Sequence, residues 1–594
     1  MAVYQAPLRL MRFLLHEVFE VEKRLADISA YPDFNQELMD AILDEAANFA
    51  TQVLLPINAS GDAEGCQFND GKVTTPDGFK EAFRQYCESG WSAMGCDEEY
   101  GGQPIPKSLH LMVEEIFCAC NTAFALYPNL TNTAIFLLEK HASQELRDIY
   151  LSKMITGEWT GTMCLTESHA GSDLGIIKTS ATPNDDGSYN ITGTKIFISA
   201  GEHDLADNII HLVLAKLPDA PAGSKGISLF LVPKFHVDEQ GNVGEANQVT
   251  CGSIEHKMGI KGSATCVMNF DGSKGYLVGE VNQGLRCMFT MMNNERLSVG
   301  MQGVGMAETS TQSAIAYALE RKQGRVGGAP DHVDSIIKHG DVRRMLLAMM
   351  SMTSGCRALT AYMGLQYDIS EQHDDPEQRK MAASLVALLT PVAKSFFTDR
   401  ALETCSNGIQ VFGGHGYVSE WGMEQLMRDT RITQLYEGTN GIQSLDLLGR
   451  KILAYKGQAW RVFKAHLGSM ILSAKEAGYD STQCNDVMKA LTELDEVTNT
   501  IMNVATADLV SSVAVEYMNF FGTTVIACMW LKVVTTVLKK EEQGAFEKQL
   551  LSLADFYIHY HLPTVEACIK RIGAGCDPVM GMDEEGFELV TEVN

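Results

Sequence analysis

At 594 residues with 45% hydrophobic content, the chain is long enough for several domains with sizeable cores. Its formal net charge of −28 repels phosphate backbones and anionic bilayers, which argues against nucleic acid or a lipid surface as the main partner. The 15 cysteines include no Cys-x-x-Cys pair, the nearest spacing being Cys118-Ala-Cys120, so they read as buried or reduced thiols in a reducing compartment.

The stretch from Met1 to His16 lacks a basic start followed by a long apolar core and a small-residue cleavage site. No run is expected to reach the ~18 apolar residues of a membrane span, and a soluble, cytoplasmic protein is expected. Residues 1–160 read as helices. In Glu37 to Leu55 the apolar positions Leu38, Ile42, Ala46, Phe49 and Val53 recur at steps of three and four, which predicts one buried helix face. Trp91 to Pro106, with Tyr100-Gly-Gly102 and two prolines, predicts a loop, and helical patterning resumes at Ser108.

From Gly161 the pattern turns to short β-rich runs. Ser188 to Ser199, His211 to Leu217 and Gly226 to Val232 alternate like strands, and turns are predicted at Asn184-Asp-Asp-Gly187 and between Pro218 and Gly223. This β domain is expected to end near Leu277. Leu285 to Lys322 is one long apolar-periodic segment, and Val333 to Leu447 completes a second helical domain. A further helical block runs from about 455 to the end, with apolar stripes in Asn519 to Lys540 and Leu550 to Tyr560. His559-Tyr-His561 within it has no supporting ligand nearby and reads as exposed or capping histidines, not a metal site. The expected fold is mostly α with a central β domain, in four segments: 1–160, 161–280, 281–450 and 451–594.

Two stretches carry candidate chemistry. Thr162 to Gly175 has small residues at Ala170, Gly171, Ser172 and Gly175, which let backbone N–H groups approach a ligand, and hydroxyl donors at Thr166 and Ser172. The second is Gln410-Val-Phe-Gly-Gly-His-Gly416 together with Arg431 to Gln443; these two segments contain one acid, Glu437, beside Ile432, Gln434, Leu435 and Tyr436. A carboxylate in such dry surroundings has its pKa raised toward neutrality, which makes it a useful base. The plainer alternative is a surface acid that N-caps Gly441-Ile442-Gln443.

Together these segments resemble the acyl-CoA dehydrogenase family of flavoenzymes over roughly residues 35–450. The matching motifs are Met163-Cys-Leu-Thr-Glu167 with Ala170-Gly-Ser-Asp173, Gly193-Thr-Lys-Ile-Phe-Ile-Ser199, Lys257-Met-Gly259, Tyr317-Ala-Leu-Glu-Arg-Lys322, Gln410 to Gly416, and Met427-Arg-Asp429 to Gln443. The length and the opening Tyr4-Gln-Ala-Pro7…Phe13-Leu-Leu-His16 look like the bacterial branch near 600 residues with a helical C-terminal extension, which includes enzymes acting on 3-methylmercaptopropionyl-CoA. The resemblance implies an N-terminal helical domain, a β-barrel or sandwich domain, a C-terminal four-helix domain and an extra helical domain. It implies FAD between the β domain and the second helical domain, with Met163, Leu165 and Thr166 at the isoalloxazine edge and Phe197 and Ser199 over its face. Gly171, Ser172 and Thr439 would also contact the cofactor. Arg321, Gln410 and Gly414 would reach a flavin held by a neighbouring subunit, which requires at least a dimer. Phe197 and Ser199 stand where much of the family has Trp and Thr, Gln323-Gly-Arg-Val326 replaces a common Thr-Phe-Gly, and Gly441 stands where Gln is common.

The implied chemistry is α,β-dehydrogenation of an acyl-CoA, with Glu437 as base and an electron-transfer flavoprotein as acceptor. Ser172, Arg296, Tyr436 and Gly438 would touch the substrate, and the backbone N–H of Glu437 would help to polarise the thioester carbonyl. Glu295, next to Arg296, stands where some branches carry their base, and is the alternative; it could equally pair with Arg296. Other readings are a medium- or long-chain fatty acyl-CoA dehydrogenase, an oxidase, a scaffold without chemistry, and a DNA-associated alkylation-response flavoprotein of the same fold. The last is disfavoured by the net charge.

Overall fold

The computed structural model describes residues 2–31, 34–326 and 332–588. In chain order, a short helix α1 (Leu8–Arg12) runs into a π-helical turn, and α2 (Gln36–Phe49) into another. The buried face of α2 and its continuation is Met39, Leu43, Ala46, Phe49, Ala50 and Leu54, while Leu38 is 39% exposed and Ile42 and Val53 are half-buried. The stripe thus lies about one residue on from the expected one. Apolar residues occupy two adjacent faces here, so periodicity leaves the inward face undetermined by about one residue's rotation.

The predicted loop from Trp91 to Pro106 forms as short 3₁₀ turns and irregular chain before α3 (Lys107–His141). That helix is kinked at Asn121 (φ −159°, ψ 85°), whose Oδ1 accepts from the Phe124 N–H as an internal cap. Strands β1 (Trp159–Cys164), β2 (Ser180–Pro183), β3 (Tyr189–Ser199), β4 (Asn208–Lys216), β5 (Ile227–Pro233), β6 (Val249–Ile254) and β7 (Thr265–Val278) follow. They pair in the order β6-β7-β3-β2-β4-β1, and β5 pairs with both β7 and β4, so β7-β3-β2-β4-β5 closes on itself. Its interior is filled by Ile191, Ile198, Val213, Phe230, Cys266, Met268 and Phe270, the inward half of each alternation.

The remainder is helical: α4 (Gly284–Glu320), α5 (Gly340–Gln372), α6 (Pro376–Phe412), α7 (Met423–Ile432), α8 (Asn440–Leu445), α9 (Gln458–Glu476), α10 (Ser481–Val504), α11 (Ala507–Leu538), α12 (Ala545–Phe556) and α13 (Val565–Gly573). Contrary to the expectation about apolar runs, Lys107–His141, Pro376–Tyr417 and Ala507–Leu538 are long and apolar enough to cross a membrane by length and composition. Their most apolar windows are 100%, 72% and 83% buried inside the protein, as core helices are. The apolar stripe beginning at Asn519 belongs to a helix that starts twelve residues earlier, at Ala507.

The chain forms two compact units. The first gathers Ile42–Met306 and Gln425–Ile432, and includes the closed sheet. Within it, the Lys257-Met-Gly259 motif meets the Met427-Arg-Asp429 motif. The Ile260 N–H donates to Asp429 Oδ1, and Arg428 holds Asp62 through two hydrogen bonds of 2.7 and 3.1 Å and the Met258 carbonyl at 3.0 Å. A Cβ on Gly259 would lie 2.5 Å from Asp429 Oδ1 and 2.6 Å from the Arg428 carbonyl carbon, so only glycine fits this approach.

The second unit gathers Met1–Ala41, Ala307–Glu424 and Thr433–Asn594. Helices α5, α6 and α11 pack closely there. A Cβ on Gly355 would fall 2.4 Å from Ile526, one on Gly522 2.4 Å from the Phe396 ring, and Trp530 Nε1 donates to the Ser351 carbonyl at 3.1 Å. The N-terminal residues pack onto the same unit, with Phe13 edge-on to Phe546 (5.6 Å), Arg9 over that ring (4.2 Å) and Lys540 paired with Glu17 at 2.8 Å.

Candidate active site

Glu437 lies in the bend between α7 and α8 with φ +56°, followed by Gly438 at φ +84°. A left-handed glutamate is strained, and such residues persist only where the surroundings over-determine them. Here they do. The Gln443 amide donates to the Glu437 carbonyl (3.0 Å), and the Asn440 side-chain amide donates to the Ser395 carbonyl, Thr398 Oγ1 and Asp399 Oδ1 at 3.2, 3.0 and 2.7 Å. The Asn440 Oδ1 in turn accepts from Lys394 Nζ at 2.7 Å, and Gln434 Nε2 donates to Asp399 at 2.6 Å. The turn is therefore pinned to α6 through Asn440 and Gln434.

The N-cap of α8 is Thr439, whose hydroxyl accepts from the Ile442 N–H at 3.4 Å. Thr439, not Glu437, caps this helix, so the cap reading of Glu437 fails. Tyr436, Glu437 and Gly438 are half-buried within their unit.

Arg321, just past the end of α4, is exposed, as are Gln410 and Gly414. Tyr317, one turn before Arg321, stacks on Phe412 (4.2 Å between ring centres) and its hydroxyl meets His415 Nδ1 at 2.9 Å, which brings the end of α4 to the Gly413-Gly-His-Gly416 turn. A Cβ on Gly413 or Gly414 would meet nothing within 4 Å. An exposed guanidinium beside an exposed glycine turn suits a phosphate group.

In the other unit, Met163 is the last residue but one of β1 and Leu165 and Thr166 begin the loop after it, all three half-buried; Gly171 and Ser172 are exposed farther along that loop. Phe197 sits in a bulge of β3, where Ile198 pairs with Cys266 but Lys195 pairs with Met268. Its φ is +59° and it is 59% exposed, so the backbone turns a large aromatic outward while Ile198 stays buried and Ser199 half-buried. The Ile196 N–H donates to the Thr166 carbonyl at 2.9 Å, which ties the loop to the bulge. An outward aromatic with a hydroxyl two residues on and apolar side chains on the tied loop fit a flat ring system with a polar edge.

Two buried charges that the sequence reading left unassigned hold this arrangement. Glu167 accepts from the Lys178 N–H (2.7 Å), the Thr179 N–H (3.0 Å), the Thr179 hydroxyl (2.6 Å) and Lys195 Nζ (2.9 Å). Burial opposes its charged form, but Lys195 and these donors outweigh it and hold the carboxyl at about 2. Lys195 is fully buried and its pKa is lowered by that burial.

Glu295, on α4, is 2% exposed and accepts from the Thr133 hydroxyl at 2.8 Å. Arg296 beside it is 5% exposed and donates to Asn293 Oδ1 at 3.2 Å. His559 pairs with Asp555 on its own helix (3.3 Å), and among the described residues no group of three or more His, Cys, Asp or Glu is arranged to hold a metal ion.

Sequence profiles described as the acyl-CoA dehydrogenase N-terminal, middle and C-terminal domains match residues 36–158, 162–273 and 282–453, and one described as acetyl-CoA dehydrogenase C-terminal like matches 475–583. The chain is 44% identical over 461 residues to 3-methylmercaptopropionyl-CoA dehydrogenase of Ruegeria pomeroyi, covering 77% of this chain and 78% of that one. The chain belongs to the acyl-CoA dehydrogenase family. It is also 33% identical over 612 residues to a butyryl-CoA dehydrogenase of Syntrophomonas wolfei, over 98% of this chain and 99% of that one. An acyl-CoA dehydrogenase from Bacillus anthracis, solved in complex with FAD, shares the fold with a TM-score of 0.74 at 21% identity, over 96% of this chain and 92% of that chain. As in the family, a closed β-sheet domain stands in the chain between helical segments, and here a further helical domain follows.

Glu167 and Lys195 lie inside motifs that were legible, yet nothing in their spacing pairs them. A lysine at an inward position of an alternating strand was the available signal. Asn440 had a weaker one, a turn-forming residue directly after the cap.

Proposed function

We propose that this acyl-CoA dehydrogenase converts a short acyl-CoA to its 2-enoyl-CoA with FAD as cofactor and Glu437 as the base. The observation that carries the assignment of the base is the braced, left-handed turn at Glu437, because a base for a weakly acidic α-C–H has to be positioned before reaction. Glu437 takes the α-proton. The flavin, when bound, supplies the acceptor for the β-hydrogen, taken as hydride. Tyr436 and Gly438 shape the approach to Glu437, Arg296 and Ser172 hold the CoA thioester, and the Glu437 N–H stabilises charge developing on its carbonyl.

Toward the cofactor, Met163, Leu165 and Phe197 offer apolar surface and Thr166 and Ser199 hydroxyls. Gly171 leaves room for close backbone approach. Arg321, Gln410 and Gly414, exposed on their own unit, suit the pyrophosphate of a flavin held by a second copy, so a homodimer is proposed. The Thr439 hydroxyl is engaged in its helix cap and would act through the turn that it fixes. Glu295 is assigned the secondary role, as a buried, Thr133-bound carboxylate.

The 44% identical relative supports 3-methylmercaptopropionyl-CoA as substrate, and with it a place in dimethylsulfoniopropionate breakdown; the full-length butyryl-CoA relative supports a plain short acyl chain as the second reading. An electron-transfer flavoprotein as acceptor and a cytoplasmic location complete the proposal.

The test is anaerobic titration with 3-methylmercaptopropionyl-CoA, butyryl-CoA and octanoyl-CoA, following bleaching of the visible flavin band in wild type, Glu437→Gln and Glu295→Gln. Wild type should bleach fastest with 3-methylmercaptopropionyl-CoA, and Glu437→Gln should slow this by at least roughly 100-fold. Glu295→Gln should retain most of the rate. A colourless protein, or wild-type bleaching in Glu437→Gln, would overturn the assignment.

A further inference from the structure

We propose that the buried pair Lys195–Glu167 is a positioning device for the flavin reaction, one clamp that sets both the β1 loop at Leu165–Thr166 and the outward bulge at Phe197. The role rests on the proposed flavin site; the clamp itself rests on the geometry of one unit.

Lys195 Nζ donates at 2.9 Å both to Glu167 Oε1 and to the Leu165 carbonyl. The residue after Lys195 donates its N–H to the Thr166 carbonyl, and the residue after that is Phe197, with φ +59°. Glu167 itself closes a two-way backbone bridge with Ala170 (both bonds 2.9 Å) and, through its carboxylate, gathers the amides of Lys178 and Thr179 just ahead of β2. Three stretches of chain that are separate in sequence are thus joined at one carboxylate and one ammonium. Gly193 completes the approach, since a Cβ there would lie 2.5 Å from Thr179 Oγ1.

A stability role explains this poorly. The lysine is fully buried and the glutamate 5% exposed, and a buried ion pair is often no more stabilising than apolar residues of the same volume. What apolar residues could not do is hold the Leu165 carbonyl, the Lys178 and Thr179 amides and a left-handed bulge in one register. The residues so held are those proposed to face the flavin, while Lys195 and Glu167 touch neither cofactor nor substrate in this scheme.

The experiment compares wild type with Lys195→Met, with the charge-balanced double variant Glu167→Gln/Lys195→Met, and with the surface control Lys274→Met. Hydrogen exchange by mass spectrometry reads the clamp without reference to activity. Peptides covering 163–178 and 193–200 should exchange at least roughly tenfold faster in the double variant, while peptides over 227–233 stay as in wild type and the melting temperature remains close to wild type. The same variant should retain FAD but show a changed visible flavin band shape and anaerobic bleaching slowed roughly 10- to 100-fold. Wild-type exchange in both segments would overturn the clamp. Loosened segments with wild-type band shape and bleaching would overturn the positioning role and leave a structural pair. If Lys195→Met fails to fold, the double variant still decides. If wild type itself lacks flavin, the functional proposal fails with it while the exchange data still judge the clamp.

Discussion

Single residues decide whether two motifs can meet. Gly259 has no room for a Cβ against Asp429 and Arg428, and overpacking of this kind costs about 1–3 kcal/mol. Gly259→Ala should therefore lower the midpoint of urea unfolding by that amount with an unchanged denaturant slope. Asp429 itself is pushed up to about 6, chiefly by burial, with the Ile260 N–H and Arg428 pulling the other way. Its folded pKa lies above the ordinary value of 3.8, so the fold binds more protons than the unfolded chain between about pH 4 and 6. Its contribution to stability falls as pH rises through that window. Wild type should lose stability relative to Asp429→Asn between pH 4 and pH 7, read from denaturation at a series of pH values. At this scale the motifs were readable as strings, whereas Gly259 and Asp429, 170 residues apart in sequence, became a contact only through folding.

Elements turn strings into geometry. The Glu437 turn shows the limit of local reading: the chain around it suggested either a dry base or a helix cap, and Thr439 took the cap because its short hydroxyl reaches the third amide of α8. What holds the turn is Asn440, bonded to four groups on α6. Removing those bonds from a part-buried network should cost about 1–3 kcal/mol, and Asn440→Ala should lower kcat more than it raises KM, because it releases the turn without touching substrate. The N-terminal residues give a second case. Phe546→Ala removes the ring that Phe13 and Arg9 both contact, worth about 1 kcal/mol beyond area. Faster hydrogen exchange over residues 8–18 is the expected result. The inward face of α2 lies about one residue on from the expected stripe because two adjacent faces carry apolar residues, and a neighbouring surface chooses between them.

For the molecule as a whole, the helices after residue 455 complete a core. Ile526 and Trp530 of α11 seat against Gly355 of α5, and Phe396 of α6 against Gly522. A chain ending at residue 454 should expose these faces and aggregate, where full-length protein stays soluble in the same buffer; sedimentation after expression gives the answer. With a sequence pI near 4.9, full-length protein should also be least soluble near that pH. By itself the sequence determined the helix, β and helix order, the family and the identity of the candidate acid. Those follow from local periodicity and from motifs whose members lie within a few residues of each other. Tertiary structure alone decided that Lys195 pairs with Glu167, that Phe197 turns outward and that Asn440 braces the Glu437 turn. Each joins groups brought side by side by strand register or helix packing, and register is settled by burial of the whole face, which no short stretch of sequence contains.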